Sequence, residues 1–250
     1  KRQPKAAIQL FKKITKQDPK NTTALYNQGL ALNQLKKYQD AITCFDKVLD
    51  LNPKDVSAIN NRAISLAEVG NTEGALEYYT KAIETDPKYA PAYYNRGVLY
   101  DKLLQHDEAL DNLDQALKID SGNVYAAFYR GIVLGKLDRH EEALNCFENI
   151  YKKHPKHMDA FFHKGIEMAE LGKHEKALEI FDKLLQIHKD NVNVIYAKAR
   201  SNAALDNIDE AIYLLGQAIK KDRKTIKKWA VQEKFFDNLL DDPRFNKLVK

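Results

Sequence analysis

Residues 124–157, VYAAFYRGIVLGKLDRHEEALNCFENIYKKHPKH, decide the fold of this chain, because their pattern continues without insertion on both sides. The preceding stretch, 90–123, reads APAYYNRGVLYDKLLQHDEALDNLDQALKIDSGN. In both, position 8 is glycine, position 20 is alanine and position 24 is large and apolar, counted from the first residue of each stretch. A fixed period of 34 residues predicts a repeat architecture in which each unit packs on its neighbours.

The three marker positions recur along most of the chain. Position 8 is Gly29, Ala63, Gly97, Gly131, Gly165 and Ala199; position 20 is Ala41, Ala75, Ala109, Ala143, Ala177 and Ala211; position 24 is Phe45, Tyr79, Leu113, Phe147, Phe181 and Leu215. Positions 4, 8 and 11 share one face of a first helix, and positions 20, 24 and 27 share one face of a second. Gly70-Asn71, Asp138 and Gly172 break the chain between them. Each unit is therefore predicted to be a helical hairpin, with small residues where its two helices cross.

With prolines closing several units, at Pro19, Pro53, Pro87 and Pro155, the pattern resembles the tetratricopeptide repeat family. The resemblance implies an all-α fold, an α-solenoid of stacked helical hairpins that forms a right-handed superhelix. It also implies that the first helices line a concave groove, which in this family usually binds an extended peptide.

We expect six repeats, at 22–55, 56–89, 90–123, 124–157, 158–191 and 192–225. Residues 1–21 match only the second helix of a truncated repeat, so we expect a fragment of a longer chain. Residues 226–250 are predicted to form C-terminal capping helices. In this segment 226–240 reads as one more first helix with Trp229 at position 4, and Asp242-Pro243 opens a short last helix.

The net charge of +5 is unevenly placed, because residues 1–21 hold seven cations and one anion and residues 220–250 hold ten and five. Solvated lysines on terminal helices are the favoured explanation of these basic ends, and binding of nucleic acid or an anionic surface through them is the less favoured alternative. No apolar run is long enough for a membrane span. Cys44 and Cys146 lie three repeats apart, out of disulfide reach, which favours a reducing, cytoplasmic location. The expected truncation leaves an N-terminal targeting signal open.

The face opposite the buried stripe of the first helices carries the candidate binding residues. Position 6 reads Asn27, Asn61, Asn95, Tyr129 and His163, and aromatic residues stand beside it. An amide offers both a donor and an acceptor, so a row of asparagines could pair with the backbone of an extended ligand. The predicted peptide-binding set is Asn27, Asn61, Asn95, Tyr26, Tyr94, Tyr125, Phe128, Tyr129 and His163. These residues could instead bond and pack against neighbouring helices, and the sequence leaves both interpretations open.

Position 7 carries a second row of polar residues, Gln28, Arg62, Arg96, Arg130, Lys164 and Lys198. An acid stands sixteen residues before four of them, at Asp46, Asp114, Glu148 and Asp182. The matched spacing predicts ion pairs between the second helix of one repeat and the first helix of the next. The alternative is a cationic track for phosphate or an acidic peptide. The carboxylate clamp of chaperone-binding family members is absent.

The chain offers little for catalysis. His106, His140 and His174 share position 17, but neighbouring repeats should hold them about 10 Å apart, too far to share a zinc ion. No phosphate loop, cysteine pair or nucleophile elbow appears. We therefore predict no catalytic residues, no metal and no cofactor. The expected function is a non-catalytic scaffold for a protein or peptide ligand, without a small-molecule substrate. The alternatives are a targeting or regulatory region of a larger enzyme and a self-associating array.

Overall fold

The computed structural model describes residues 2–250, with side chains from residue 4 onward, and every regular element in this range is a helix. In order these are α1 (Arg2–Gln17), α2 (Thr22–Gln34), α3 (Tyr38–Leu51), α4 (Val56–Glu68), α5 (Thr72–Thr85), α6 (Ala90–Lys102), α7 (His106–Ile119), α8 (Val124–Lys136), α9 (His140–Lys153), α10 (Met158–Glu170), α11 (His174–Ile187), α12 (Val192–Ala204), α13 (Ile208–Lys221), α14 (Arg223–Gln232), a 3₁₀ helix (Lys234–Leu239) and α15 (Pro243–Val249).

The chain divides into two compact units, residues 1–129 and residues 130–250. In the first unit α1 packs on α2, and the pairs α2–α3, α4–α5 and α6–α7 form helical hairpins. In the second unit α9 packs on α10, and α10–α11 and α12–α13 form hairpins in the same way. The all-α prediction of stacked helical hairpins is confirmed.

A left-handed residue joins the two helices of each hairpin. It falls at position 15 throughout, with φ of +59° at Lys36, +84° at Gly70, +61° at Leu104, +56° at Asp138, +72° at Gly172 and +57° at Asp206. The next amide then bonds back to the carbonyl at position 11, for example Lys37 N to Leu32 O at 2.9 Å. This geometry closes the first helix and reverses the chain. The predicted breaks at Gly70, Asp138 and Gly172 are confirmed.

The hairpins are held together by small residues that face large ones. A Cβ added at Gly29, Gly131 or Gly165 would lie 2.7 Å from a ring carbon of Phe45, Phe147 or Phe181, respectively. These three phenylalanines are fully buried. The helices thus approach closely enough for a ring to rest on the glycine backbone, which confirms the prediction for position 8.

The C-terminal segment differs from its prediction. The continuous helix expected over 226–240 is wrong, since α14 ends at Gln232 and Glu233 adopts an extended backbone with φ −88° and ψ 111°. Glu233 occupies position 8, where a close helix crossing elsewhere requires glycine or alanine, and its carboxylate instead accepts a bond from Phe235 N. Phe236 and Leu239 are then buried with a three-residue spacing that suits the 3₁₀ helix.

The end of the second unit has its own core. Ile226 and Ala230 are buried, whereas Trp229 is 41% exposed, so its expected burial at position 4 is wrong. The predicted start of the last helix is confirmed, because Asp242 caps it by accepting a bond from Arg244 N at 2.8 Å. Phe245 of α15 packs against Phe236, with ring centroids 5.8 Å apart.

Two further findings concern chemistry and membranes. Neither cysteine forms a disulfide bond in the described part of the chain, and burial raises the pKa of the Cys44 thiol, which keeps it protonated. Among the described residues, none of the helices combines the length and the apolar character that a membrane crossing would require.

Candidate functional site

The asparagine row lies in the second turn of three successive first helices of the first unit. Asn21 and Asp55 fix the start of α2 and α4, because their side chains accept bonds from Ala24 N and Ala58 N at 3.0 and 2.9 Å. In α6 a proline in the first turn favours the start of the helix. Asn27, Asn61 and Asn95 follow at the same position of each helix and are half-buried.

The NH₂ groups of these asparagines are directed into the protein. Asn61 Nδ2 donates to Ser57 O at 2.9 Å and to Tyr26 Oη at 3.0 Å. Asn27 Nδ2 donates to Thr23 O at 2.9 Å. Asn95 Nδ2 donates across to the buried Asn60, at 3.1 Å from its Oδ1 atom. The amide nitrogens therefore bond within their own helix or to the preceding first helix.

The oxygens of the same amides are left available. Because a backbone carbonyl can only accept, the bonds to Thr23 O and Ser57 O fix which end of Asn27 and Asn61 is nitrogen. No hydrogen bond among the described residues reaches Oδ1 of Asn27, Asn61 or Asn95. The row thus presents acceptors at repeat spacing, suited to N–H donors of a ligand.

Aromatic side chains accompany the row. The Tyr26 ring meets Phe45 edge-on at 5.8 Å, and the Tyr94 ring meets Tyr129 edge-on at 5.7 Å. Burial, with the nearby Tyr129 and Tyr125, raises the pKa of Tyr94 to about 12, so its hydroxyl stays a donor. Phe128 contacts Tyr129 at 6.3 Å. Tyr125 is 73% exposed.

His163, the remaining predicted site residue, belongs to the second unit and has a different environment. Its ring stacks on Phe147 at 5.2 Å and meets Phe162 edge-on at 5.4 Å. Burial lowers the pKa of His163 to about 4, although Asp159 opposes this shift. The imidazole is therefore neutral at pH 7. The other eight predicted residues lie in the first unit, and His163 lies on α10 of the second.

In the second unit the corresponding faces of α10, α12 and α14 line an open pocket of about 550 Å³. Its lining consists of Phe162, His163, Ile166, Asn193, Tyr196, Ala197, Arg200, Trp229, Gln232 and Glu233. The Tyr196 ring lies 5.6 Å from Trp229 and 5.8 Å from Phe236. Burial raises the pKa of the Tyr196 hydroxyl. Five of these side chains are aromatic or aliphatic and five are polar, and most of the exposed lining surface is apolar.

A charged cluster lies at one side of this pocket. Arg200 Nη2 donates to Glu170 Oε1 at 2.6 Å. Arg200 Nε lies 2.6 Å from Glu233 Oε2, and this contact is an ion pair whose angle is not that of a hydrogen bond. Lys234 Nζ lies 3.0 Å from the other oxygen of Glu170. Burial alone would raise the pKa of Glu170, but bonds from Lys234 and Arg200 outweigh it and lower the pKa. The cluster attaches the segment after α14 to α10 and α12.

The residues at position 7 are largely occupied by structural contacts. Arg62 pairs with Asp46, Lys164 Nζ lies 3.0 Å from Glu148, and Lys198 Nζ lies 2.7 Å from Asp182. These three predicted ion pairs are confirmed. The fourth, between Asp114 and Arg130, joins residues of different units and stays a prediction.

Arg96 has no acid sixteen residues earlier but makes an equivalent bridge. Its guanidinium donates to Thr80 Oγ1 at 3.0 Å and to Asn112 Oδ1 at 2.8 Å. The guanidinium of Arg96 thus connects α6 to the second helices on both sides, α5 and α7. These contacts favour the structural interpretation of the basic row over a track for acidic ligands.

The position 17 histidines contact acids or aromatic rings separately. His106 Nδ1 lies 3.1 Å from Asp101, His140 Nδ1 lies 2.8 Å from the buried Glu167, and the His174 ring meets Phe235 edge-on at 5.2 Å. In the part of the chain that the structure describes, no group of three or more His, Cys, Asp or Glu side chains is placed to hold a metal ion.

Family models match most of the repeats directly. Three models described as tetratricopeptide repeat match residues 22–55 and 90–123, residues 128–192 and residues 168–234, and one described as TPR repeat matches residues 65–103. The chain belongs to the tetratricopeptide repeat family. A comparison with curated proteins found no match.

Several solved structures resemble the chain. YrrB, described as a TPR protein with an unusual peptide-binding site, is 27% identical, with a TM-score of 0.63, over 75% of this chain and 97% of YrrB. A TPR protein from Parabacteroides merdae is 19% identical, with a TM-score of 0.64, over 98% of this chain and 91% of that one. MamA is 26% identical, with a TM-score of 0.53, over 60% and 87% of the two chains.

The cluster around Arg200, in the last full tetratricopeptide repeat, was not predicted from the sequence. A signal was present, because position 9 is aliphatic in the five preceding repeats, at Leu30, Ile64, Val98, Ile132 and Ile166, and changes to arginine only here. A cation in an aliphatic row predicts a nearby acid. Its partners could not be named, since Glu233 becomes available only because α14 ends early.

Proposed function

We propose that this chain is a non-catalytic protein-interaction scaffold whose first unit binds an extended peptide segment of a partner along α2, α4 and α6. The observation that carries the proposal is the set of three asparagine oxygens without a protein donor. Backbone N–H groups of a strand-like peptide could donate to these oxygens whatever the peptide sequence. The similarity to YrrB, a TPR protein with a peptide-binding site, supports it.

The proposed binding set has two kinds of members. Asn27, Asn61 and Asn95 supply acceptors, while Tyr26, Tyr94, Tyr125, Phe128 and Tyr129 supply apolar surface and hydroxyl donors, and His163 is the corresponding residue in the second unit. Apolar contact provides affinity and the polar groups fix the register of the ligand. We also propose that residues 226–250 act as a C-terminal cap and that the protein works in a reducing, cytoplasmic environment, in keeping with two cysteines that form no disulfide bond.

The acceptor role can be tested with paired substitutions. Peptides would be selected on the wild-type protein from a random displayed library, and their dissociation constants measured by fluorescence anisotropy. Replacing Asn27, Asn61 and Asn95 with alanine should weaken binding by about a hundredfold, from three lost bonds of about 1 kcal/mol each. In contrast, Asn27→Asp with Asn95→Asp should retain binding, because aspartate keeps an acceptor oxygen and replaces the NH₂ donor with a second, negatively charged acceptor.

Two comparisons make the result specific. Asn145→Ala with Asn149→Ala removes two exposed amides of α9, outside the row, and should leave affinity unchanged. Because Asn61 also bonds to Tyr26 and Ser57, equal helicity must be verified by circular dichroism, and Asn27→Ala provides a single variant that loses only a bond within its helix. Unchanged affinity of the triple alanine variant, or loss of binding in the aspartate variant, would contradict the acceptor role.

A further inference from the structure

The pocket between α10, α12 and α14 differs from the asparagine row in its chemistry. At position 6, where the first unit has asparagines, this pocket has His163 and the buried Ala197. Its remaining walls include Phe162, Tyr196 and Trp229. We propose that the pocket takes one large apolar side chain, aromatic or long aliphatic, of a protein ligand. The proposal rests on the proposed function, because it assigns a ligand class to the same face of the first helices in the second unit.

The charges around the pocket argue against a charged occupant. Arg200 is only 14% exposed, and its guanidinium contacts Glu170 and Glu233, whose carboxylates are each 13% exposed. Lys234 Nζ, 3.0 Å from Glu170, supplies the second cation, so two cations balance the two carboxylates. His163 is neutral at pH 7 because burial lowers its pKa to about 4. A charged ligand group would lose its water without gaining an unpaired opposite charge. An apolar side chain has no such cost.

The aromatic walls favour an apolar occupant. Trp229 is 41% exposed although it is the largest apolar residue type, and it lines the pocket. The Tyr196 ring lies 5.6 Å from the indole at an interplanar angle of 55°. Rings arranged in this way present edges and faces to a further apolar group, and a partly exposed tryptophan beside a cavity is typical of an interaction surface.

Trp229 is the sole tryptophan of the chain, so its fluorescence reports on this pocket directly. The N-acetyl amides of phenylalanine, leucine, lysine and aspartate would be titrated into the full chain at pH 7. We expect saturable changes in Trp229 emission with the phenylalanine and leucine compounds, with dissociation constants on the order of 1 mM for ligands of this size. The lysine and aspartate compounds should produce no saturable change.

A variant and a second measurement locate the binding. Ala197→Leu should fill the pocket and abolish the response, whereas Tyr213→Leu, which alters a 61% exposed aromatic of α13 outside the pocket, should leave it intact. Should Ala197→Leu fail to fold, acrylamide quenching of Trp229 in the wild-type protein gives the answer without a variant. A bound apolar compound must shield the indole and lower the quenching constant.

Three outcomes would overturn the proposal. The first is the absence of a saturable response to either apolar compound, and the second is an equal response to the charged compounds. The third is a shift in Trp229 emission that depends on protein concentration without any added compound, which would assign the pocket to a second copy of the chain. The triple alanine variant of Asn27, Asn61 and Asn95 should retain the response to the phenylalanine compound. Failure of the acceptor row and failure of this pocket are therefore separate results.

Discussion

A glycine at position 8 is matched to a phenylalanine at position 24 in three repeats, at Gly29–Phe45, Gly131–Phe147 and Gly165–Phe181. The fourth glycine, Gly97, faces Leu113, whose Cγ would lie 3.1 Å from an added Cβ. Where position 8 is alanine, at Ala63 and Ala199, position 24 is tyrosine or leucine. The pairing follows from space, since the phenylalanine ring occupies the volume that a Cβ would need. Glycine in mid-helix costs about 1 kcal/mol relative to alanine, so the ring contact must be worth more than that.

Replacing Gly165 with alanine should therefore destabilise the protein by about 1 to 3 kcal/mol, because the new Cβ would lie 2.7 Å from Phe181 and 3.1 Å from Ile180. Gly216 in α13 is the matched control, since its Cβ would meet only Leu248 at 3.6 Å. Gly216→Ala should be stabilising by about 0.5 to 1 kcal/mol. Urea denaturation of both variants measures the difference, and equal stability of the two would contradict the packing argument.

Two kinds of ion pair connect helices of the second unit. Lys164–Glu148 and Lys198–Asp182 join neighbouring helices, but their acids are 44% and 52% exposed. Solvent and salt weaken such pairs, so each is worth about 0 to 1 kcal/mol. Arg200 is enclosed together with Glu170 and Glu233, and removing it would leave the little-exposed Glu233 without a cation and Glu170 with Lys234 alone. A cation therefore contributes more to stability in the enclosed cluster of Arg200 than in the exposed pairs of Lys164 and Lys198.

Arg200→Met should consequently destabilise the second unit by about 3 kcal/mol and release the segment that follows α14. Lys198→Met removes a cation from the same helix and should cost less than about 1 kcal/mol. Chemical denaturation gives the two free energies, and hydrogen exchange of Lys234–Leu239 detects the release. Similar losses for both variants would show that burial of Arg200 has no special effect.

At the scale of the whole molecule, a sensitivity to acid is concentrated in residues 130–250. Burial lowers the pKa of His163 to about 4 and also lowers that of His174, so the unfolded chain binds protons at these residues before the folded chain does. Their contribution to stability is complete above a pH of about 6.5 and is lost as pH falls towards 4. Glu167 acts in the opposite direction, because burial raises its pKa. Glu170, whose pKa is lowered, adds a further loss of stability only at more acidic pH.

Between pH 7 and pH 5 the histidine effect should dominate, and His163 alone should account for about 2 kcal/mol of lost stability. Hydrogen exchange should show α10, α11 and α12 losing protection at pH 5 relative to their protection at pH 7. His163→Phe keeps an aromatic ring against Phe147 and should flatten the pH dependence, whereas His188→Gln changes an exposed histidine and should not. If His163→Phe leaves the dependence of stability on pH unaltered, His163 is not the cause of that dependence.

The sequence by itself determined the repeat register, the helical hairpins, the small residues at helix crossings and most of the ion pairs at position 7. These features are readable because each repeat packs mainly on its neighbours, so a contact in one repeat recurs at the same spacing in the next. Residues as far apart as Asp46 and Arg62, or Glu148 and Lys164, are thus related by the period alone. Recurrence also located the candidate binding face.

Only the tertiary structure decided which atoms of that face are available and how the array ends. Sequence gives an asparagine both a donor and an acceptor, but the bonds of Asn61 to Tyr26 and Ser57 consume the donors and leave the oxygen. The break at Glu233, the cluster on Arg200 and the pocket beside Trp229 occur once each, so the repeat period does not predict them. They depend on side chains that meet in space without recurring in sequence, and a contact of that kind cannot be inferred from spacing.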